Sequence, residues 1–224
     1  MYEIKQNYLP ASHRLRPGRI YEKTSITIHS TANPTSTVYG ERNWLTNTTK
    51  KAEAAWHDVV GAGIVINAIP HKEECWHSGT TEGNRHSIGI EIVESGDRRA
   101  VLLTAAEYVA DLLYEYGWGL DKLKKHYDWT KKNCPRILID KTYIVGGMDW
   151  YWFLARVTEF LEALNKPGKK IGAIMGTVII DGIEREVEMV NVDGYNYVKL
   201  RGFVEYLGYN IGNKGKTPVL TKKA

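Results

Sequence analysis

A chain of 224 residues with 43% hydrophobic and 25% charged side chains has the balance of a soluble globular protein, with enough length for one good core and an appendage. This excludes a largely disordered chain, and no apolar run reaches the roughly 18 residues of a membrane-spanning helix. Two cysteines exclude a disulfide framework, and the net charge of +4 is uneven, because residues 1–165 carry 20 basic and 20 acidic groups and the excess falls in the tail.

In chain order, the N-terminus from Met1 to Gln6 lacks the apolar centre of a signal peptide, so the chain is expected to be made in the cytoplasm and to need another exit route. Residues 24–30 alternate as a strand that ends at His29 and opens onto a loop. Residues 41–45 read as helical. Two apolar runs, from Trp56 to Val60 and from Ile64 to Ile69, flank Gly61-Ala62-Gly63 and predict a hairpin. Residues 79–85 form a glycine-rich loop, and residues 87–93 form another strand. Thr104 and Glu107 have the spacing of a capping box, predicting a helix that runs to Gly117. A final helix from about Asp149 through Leu161 closes the first domain with aromatic packing.

Lysine, proline and glycine at 166–170 mark a linker, which divides a domain at 1–165 from a small α+β module at 171–224. In the module, residues 177–180 and 186–190 flank Asp181-Gly182 and predict a second hairpin. Residues 197–207 read as a helix stopped by Gly208, followed by a short strand at 209–211. Some 55 residues make a marginal core, so such a module leans on the first domain or on a second copy of itself.

Three residues are candidate ligands of one metal ion. His29 ends a strand, and His126 and Cys134 flank a short polar segment. Imidazole and thiolate suit a d10 ion such as zinc, and three protein ligands leave a fourth position open, as catalytic zinc requires. His57, His71, His77 and His86 compete as ligands or acids, although His71, like His13, lacks a supporting context and is assigned no role, and Cys134 with His126 also fits a thiol nucleophile and its base. Glu91 interrupts an apolar strand, where a carboxylate needs either a role as general base or an edge position in solvent. Lys132, two residues before Cys134, suits oxyanion stabilisation or plain solvation. His77, after Trp76 and before the glycine-rich loop, suits a cleft wall that binds a polar polymer.

Taken in order, Ile28-His29-Ser30-Thr31, Trp56-His57, Ile69-Pro70, Trp76-His77-Ser78-Gly79, Gly83-Asn84-Arg85, Ser87 to Ile92, His126-Tyr127-Asp128 and Lys132-Asn133-Cys134-Pro135 resemble the zinc-dependent N-acetylmuramoyl-L-alanine amidases of phage endolysins and bacterial autolysins. The likeness covers about residues 1–165. It implies an α/β fold, with a mixed central sheet flanked by helices, shared with peptidoglycan recognition proteins. It implies cleavage of the amide between N-acetylmuramic acid and the first L-alanine of the peptidoglycan stem. His29, His126 and Cys134 would bind zinc, Glu91 would handle the proton and Lys132 would stabilise the transition state, with Trp56, His77, Asn84 and Arg85 contacting substrate. Some relatives use a tyrosine where Trp56 stands, so more of the burden falls here on Glu91.

Residues 192–201 with Leu207-Gly208-Tyr209 resemble a small repeat at the start of copper amine oxidases and in some cell-wall proteins. That likeness implies wall attachment, helped by anionic wall polymers, or a homodimer through the module. It implies no copper chemistry, since the module holds no histidine or cysteine. The expected setting is the bacterial wall, reached after phage or prophage lysis, with no nucleic acid as partner. A cysteine-dependent wall peptidase and a binding-only wall module are the rival readings.

Overall fold

The computed structural model describes residues 2–47, 53–165, 173–180, 183–192, 195–198, 204, 207–214 and 217–222. The chain divides into two compact units, Met1–Asn165 and Lys166–Ala224.

The first unit is built on six strands: β1 (Glu3–Gln6), β2 (Ser25–Ser30), β3 (Asp58–Gly61), β4 (Ile64–Asn67), β5 (Ser87–Ile92) and β6 (Leu123–Lys125). Their order across the sheet is β1-β4-β3-β5-β2-β6. Only β3 and β4 pair antiparallel, as the hairpin whose turn glycine Gly63 adopts φ +70°. The pairings β1–β4, β3–β5, β5–β2 and β2–β6 are parallel. A parallel interior covered on both faces favours unbroken runs of β-branched residues, and Ile26, Ile28, Ile88, Ile90 and Ile92 are fully buried. Each such side chain contributes about 1.5–3 kcal/mol of transfer free energy. The sheet is mixed and flanked by helices, as expected, and β1 is an addition that its half-polar sequence did not announce.

The helices are α1 (Val38–Leu45), α2 (Thr81–His86), α3 (Arg98–Tyr116), α4 (His126–Thr130), α5 (Arg136–Ile139) and α6 (Trp150–Asn165). Helix α1 starts three residues before the expected stretch, because the Thr37 hydroxyl caps it by accepting the Gly40 N–H. The expected capping box at Thr104 is replaced by an earlier cap. Asp97 accepts the Ala100 N–H and begins α3, while the Thr104 hydroxyl, inside the helix, donates to the Ala100 carbonyl and accepts the Gly63 N–H from the β3–β4 turn. Gly117 ends α3 in the left-handed region, as read from sequence. Residues 79–85, expected to be loop, hold all but the last residue of α2, which the Thr80 hydroxyl caps. Phe153 and Val157 on α6 are buried in the same core as Val101, Leu102, Ala105 and Val109 of α3.

In the second unit, β7 (Ala173–Ile180) and β8 (Ile183–Val192) pair antiparallel with Ile180 opposite Ile183, which leaves two residues between the strands. The Asp181-Gly182 turn itself lies outside the described residues. A third strand, β9 (Tyr195–Val198), joins β8, and β10 (Tyr209–Lys214) pairs with β11 (Thr217–Lys222) in a separate two-stranded sheet. The helix expected at 197–207 is overturned at its start, where Tyr197 and Val198 belong to β9. Val204 is helical, and most of the rest lies outside the described residues.

Candidate metal centre

Two parallel pairings bring the site together. In the β2–β5 register His29 stands opposite Glu91, and in the β2–β6 register Ile28 stands opposite Lys125, so His126, the next residue, begins α4 beside His29. Asp128 accepts the Lys125 N–H at 2.7 Å and holds the first turn of α4. The helix lasts only five residues before Lys131 takes a left-handed conformation at φ +62° and reverses the chain. The reversal lets the Tyr127 N–H donate to the Cys134 carbonyl at 2.9 Å, and it brings Cys134 Sγ to 3.5 Å from the Ser30 N–H.

Three potential ligand atoms result, all within 4.8 Å of one another, from buried His29, His126 and Cys134. His29 Nδ1 lies 3.0 Å from His126 Nδ1 and 3.8 Å from Cys134 Sγ. Burial, reinforced by the neighbouring imidazoles, holds the His29 pKa well below the ordinary histidine range. Burial and the positive charge of Lys132 push His126 down to about 4. Both rings are therefore neutral near neutral pH and have a lone pair to offer. His29 Nε2 is turned to His77 Nδ1 at 3.0 Å, and the His126 ring hydrogen bonds the Ser78 backbone, so both Nδ1 atoms are left facing the same small space. Two ring nitrogens and a sulfur around one point fit a divalent ion of borderline softness.

The cleft beside these residues has a volume of about 240 Å³ and is lined by His29, Glu91, His126, Lys132, Trp56, Trp76, His77 and Asn84, among others. Glu91 Oε2 is buried with no hydrogen-bond partner. Burial raises the Glu91 carboxyl to about 8, with the negative charge of Glu41 adding to the rise and Lys132 opposing it. An unsatisfied buried carboxyl costs stability, and this one sits in the wall of a cleft beside candidate ligands. Burial likewise pushes the Cys134 thiol up to about 12, the opposite of what a thiol nucleophile needs.

Trp56 stacks on Trp44 with ring centroids 5.6 Å apart, and its buried Nε1 has no partner. Asn84 lines the cleft, but its Oδ1 accepts the His77 and Ser78 N–H groups at 2.9 and 2.8 Å and so shapes the wall. Arg85, expected at the substrate, is not among the cleft-lining residues. It lies over the Tyr21 ring at 5.0 Å and pairs with Glu74 at 3.6 Å, because α2 directs it off the cleft. His57 is buried, with Nδ1 accepting the Gly89 N–H and Nε2 donating to the Glu73 carbonyl, so it supports the sheet. His71 pairs with Asp58, and His86 bonds the Glu22 carbonyl.

The sequence reading missed one support of the site. Glu94, just past β5, takes a 2.6 Å ion pair from Arg136 and the Ala32 N–H at 3.0 Å, which ties the turn carrying Cys134 to the ends of β2 and β5. The only signal was a carboxylate three residues after Glu91, whose partner lies 42 positions away.

Against known proteins, residues 20–137 match the family model described as N-acetylmuramoyl-L-alanine amidase. The chain is 41% identical over 127 residues to N-acetylmuramoyl-L-alanine amidase CwlA of Bacillus subtilis, covering 53% of this chain and 46% of that protein. It is 32% identical over 145 residues to CwlH of the same organism, covering 62% of this chain and 58% of that one. The chain thus spans about half the length of these relatives. Among solved structures, the catalytic domain of XlyA superposes with a TM-score of 0.62 at 30% identity, over 69% of this chain and 99% of that domain. A mutant endolysin from Bacillus subtilis gives 0.63 at 31% identity, over 70% and 99%. The matched residues include the whole sheet from β2 to β6 and all three candidate ligands, and on that match the chain belongs to the N-acetylmuramoyl-L-alanine amidase family.

Proposed function

We propose that this chain hydrolyses peptidoglycan at the amide between N-acetylmuramic acid and the L-alanine of the stem peptide, with zinc held by His29, His126 and Cys134. The observation that carries the reading is the convergence of these three side chains beside an unpartnered carboxyl in an open cleft. Zinc bound there supplies Lewis acidity, which polarises a carbonyl and acidifies water.

The chain's own residues do the rest. Glu91, partnerless in the cleft wall, acts as the carboxylate, which a dication beside it would favour over the neutral acid that burial favours; it takes a proton from the attacking water and delivers it to the alanine amine as it leaves. Lys132 places a positive charge at the cleft, where the developing oxyanion would lie. The indole N–H of Trp56, unpaired in the wall, is suited to donate to the sugar or the stem. Asn84 keeps the His77-Ser78 backbone in place as the opposite wall. The raised Cys134 thiol disfavours a cysteine peptidase.

Residues 1–165 form the catalytic part on this reading, 166–170 the linker, and 171–224 an envelope-binding or self-associating module related to the repeat of copper amine oxidases. The basic excess of the tail favours anionic wall polymers as partners. No helix among the described residues is long and apolar enough to cross a membrane, and the wall is the proposed place of action, reached on lysis.

Digestion of purified walls followed by mass spectrometry tests the proposal. Stem peptides with a free N-terminal alanine are expected, and fragments cut inside the stem or the glycan would refute it.

A further inference from the structure

We propose that His77 is a positioning residue that fixes the tautomer and orientation of His29, and that Gly89 is the space this arrangement requires; the inference rests on the reading of His29 as a metal ligand. His77 is buried, its ring hydrogen bonds the Ser87 and Gly83 backbone, and its two ring nitrogens have separate tasks. Nε2 lies 3.2 Å from the Ser87 carbonyl, which can only accept, so this nitrogen carries the ring proton. In a neutral ring Nδ1 is then a lone pair, and it lies 3.0 Å from His29 Nε2. His29 must therefore carry its own proton on Nε2. Its lone pair is left on Nδ1, the atom that faces His126 and Cys134. A proton held on the outer nitrogen of a ligating imidazole sets which nitrogen coordinates and where the ring points.

The rings meet edge to face, with centroids 5.1 Å apart and planes at 87°. His77 is fixed from both sides. Its backbone N–H donates to Asn84 Oδ1 at 2.9 Å, and its ring lies directly on Gly89 of β5. A Cβ at Gly89 would stand 2.5 Å from His77 Cγ and 2.8 Å from Nδ1, closer than atoms can approach without movement. Gly89 is thus explained by the ring above it, in a strand where glycine otherwise only weakens packing. The chain from the Ser87 carbonyl through His77 to His29 begins two residues before Gly89, so strand, glycine and positioning ring are one local unit.

The test has two readouts on the full chain. In metal-free protein, long-range proton–nitrogen correlation spectra should show His29 protonated on Nε2 and bare on Nδ1. This needs no variant and no metal. His29 protonated on Nδ1 would overturn the proposal even if zinc later binds. The second readout is zinc affinity, measured by competition with a chromophoric chelator. His77→Phe, which fills the same space without an acceptor, should weaken zinc about 10–100-fold and leave His29 a mixture of tautomers. His77→Asn, whose Oδ1 can stand near the lost Nδ1, should recover most of that loss, and Gly89→Ala should weaken zinc in the same direction as His77→Phe. Unchanged zinc affinity and an unchanged His29 tautomer in His77→Phe would refute the positioning role. If the unaltered chain bound no zinc while His29 kept its Nε2 proton, the metal reading would fall and the tautomer assignment would stand.

Discussion

Glu91 stands directly opposite His29 in the parallel pairing of β2 with β5, so the two side chains leave the sheet on the same face, one toward the ligand cluster and the other unpartnered in the cleft wall. A carboxyl raised to about 8 costs stability as pH climbs above its unfolded value, because the unfolded chain releases the proton first. Glu91→Gln, which cannot ionise, should therefore make the metal-free protein more stable near pH 8 by on the order of 1–3 kcal/mol. The same variant should lower wall hydrolysis by about 10²–10⁴-fold, the usual worth of a general base. Urea denaturation and turbidity clearing of walls give the two numbers, and a variant that is active or destabilised contradicts the assignment.

Chelation should abolish wall hydrolysis and lower the melting temperature, and zinc should restore both. Free zinc at about a thousand times its dissociation constant adds about 4 kcal/mol to the folded state. Calorimetry with and without chelator reads this directly.

Asp58 is fully buried and accepts from Asn67 Nδ2 at 2.7 Å, Tyr108 OH at 2.9 Å and His71 Nε2 at 2.8 Å. Burial acts to lower the His71 pKa, but the charge and hydrogen bond of Asp58 overcome it, and the net shift is upward. The stability from a raised histidine is fully present below its unfolded pKa, about 6.5, and is lost as pH rises through the folded value. His71→Gln should therefore cost more at about pH 6 than at about pH 9. Urea midpoints of both proteins at the two pH values check the sign.

Arg136→Ala should destabilise the first unit by about 3–5 kcal/mol, because it leaves the Glu94 carboxylate buried without its charge partner. The Glu94 side chain is only 2% exposed, while Arg136 follows Cys134-Pro135 directly. Zinc affinity should fall with stability, since the turn carrying Cys134 loses its tie to β5. Arg136→Lys should recover only part of the loss, as a point charge does not reproduce the paired guanidinium contacts.

The buried strands and long helices were legible because their patterns are local. Residues 25–30 and 87–92 carry isoleucine at alternate positions, and α3 and α6 carry apolar stripes. Helix boundaries were less so. Thr104 has the spacing of a cap, yet Asp97 takes the role because the helix gains two more turns of packing by starting earlier. The short elements α2, α4 and α5 depend on tertiary hydrogen bonds that no window of sequence contains. At the site, the convergence of His29, His126 and Cys134 follows from strand pairing, which sequence alone does not order. The relation of His77 to Gly89 was invisible for the same reason, since the two residues are adjacent only across a fold.

Native mass spectrometry of the full chain after zinc loading most directly tests whether His29, His126 and Cys134 share one ion. One zinc per chain is expected, lost in Cys134→Ser and in His126→Ala while the fold persists by circular dichroism. A chain that binds no zinc, or variants that keep it unchanged, would contradict the account.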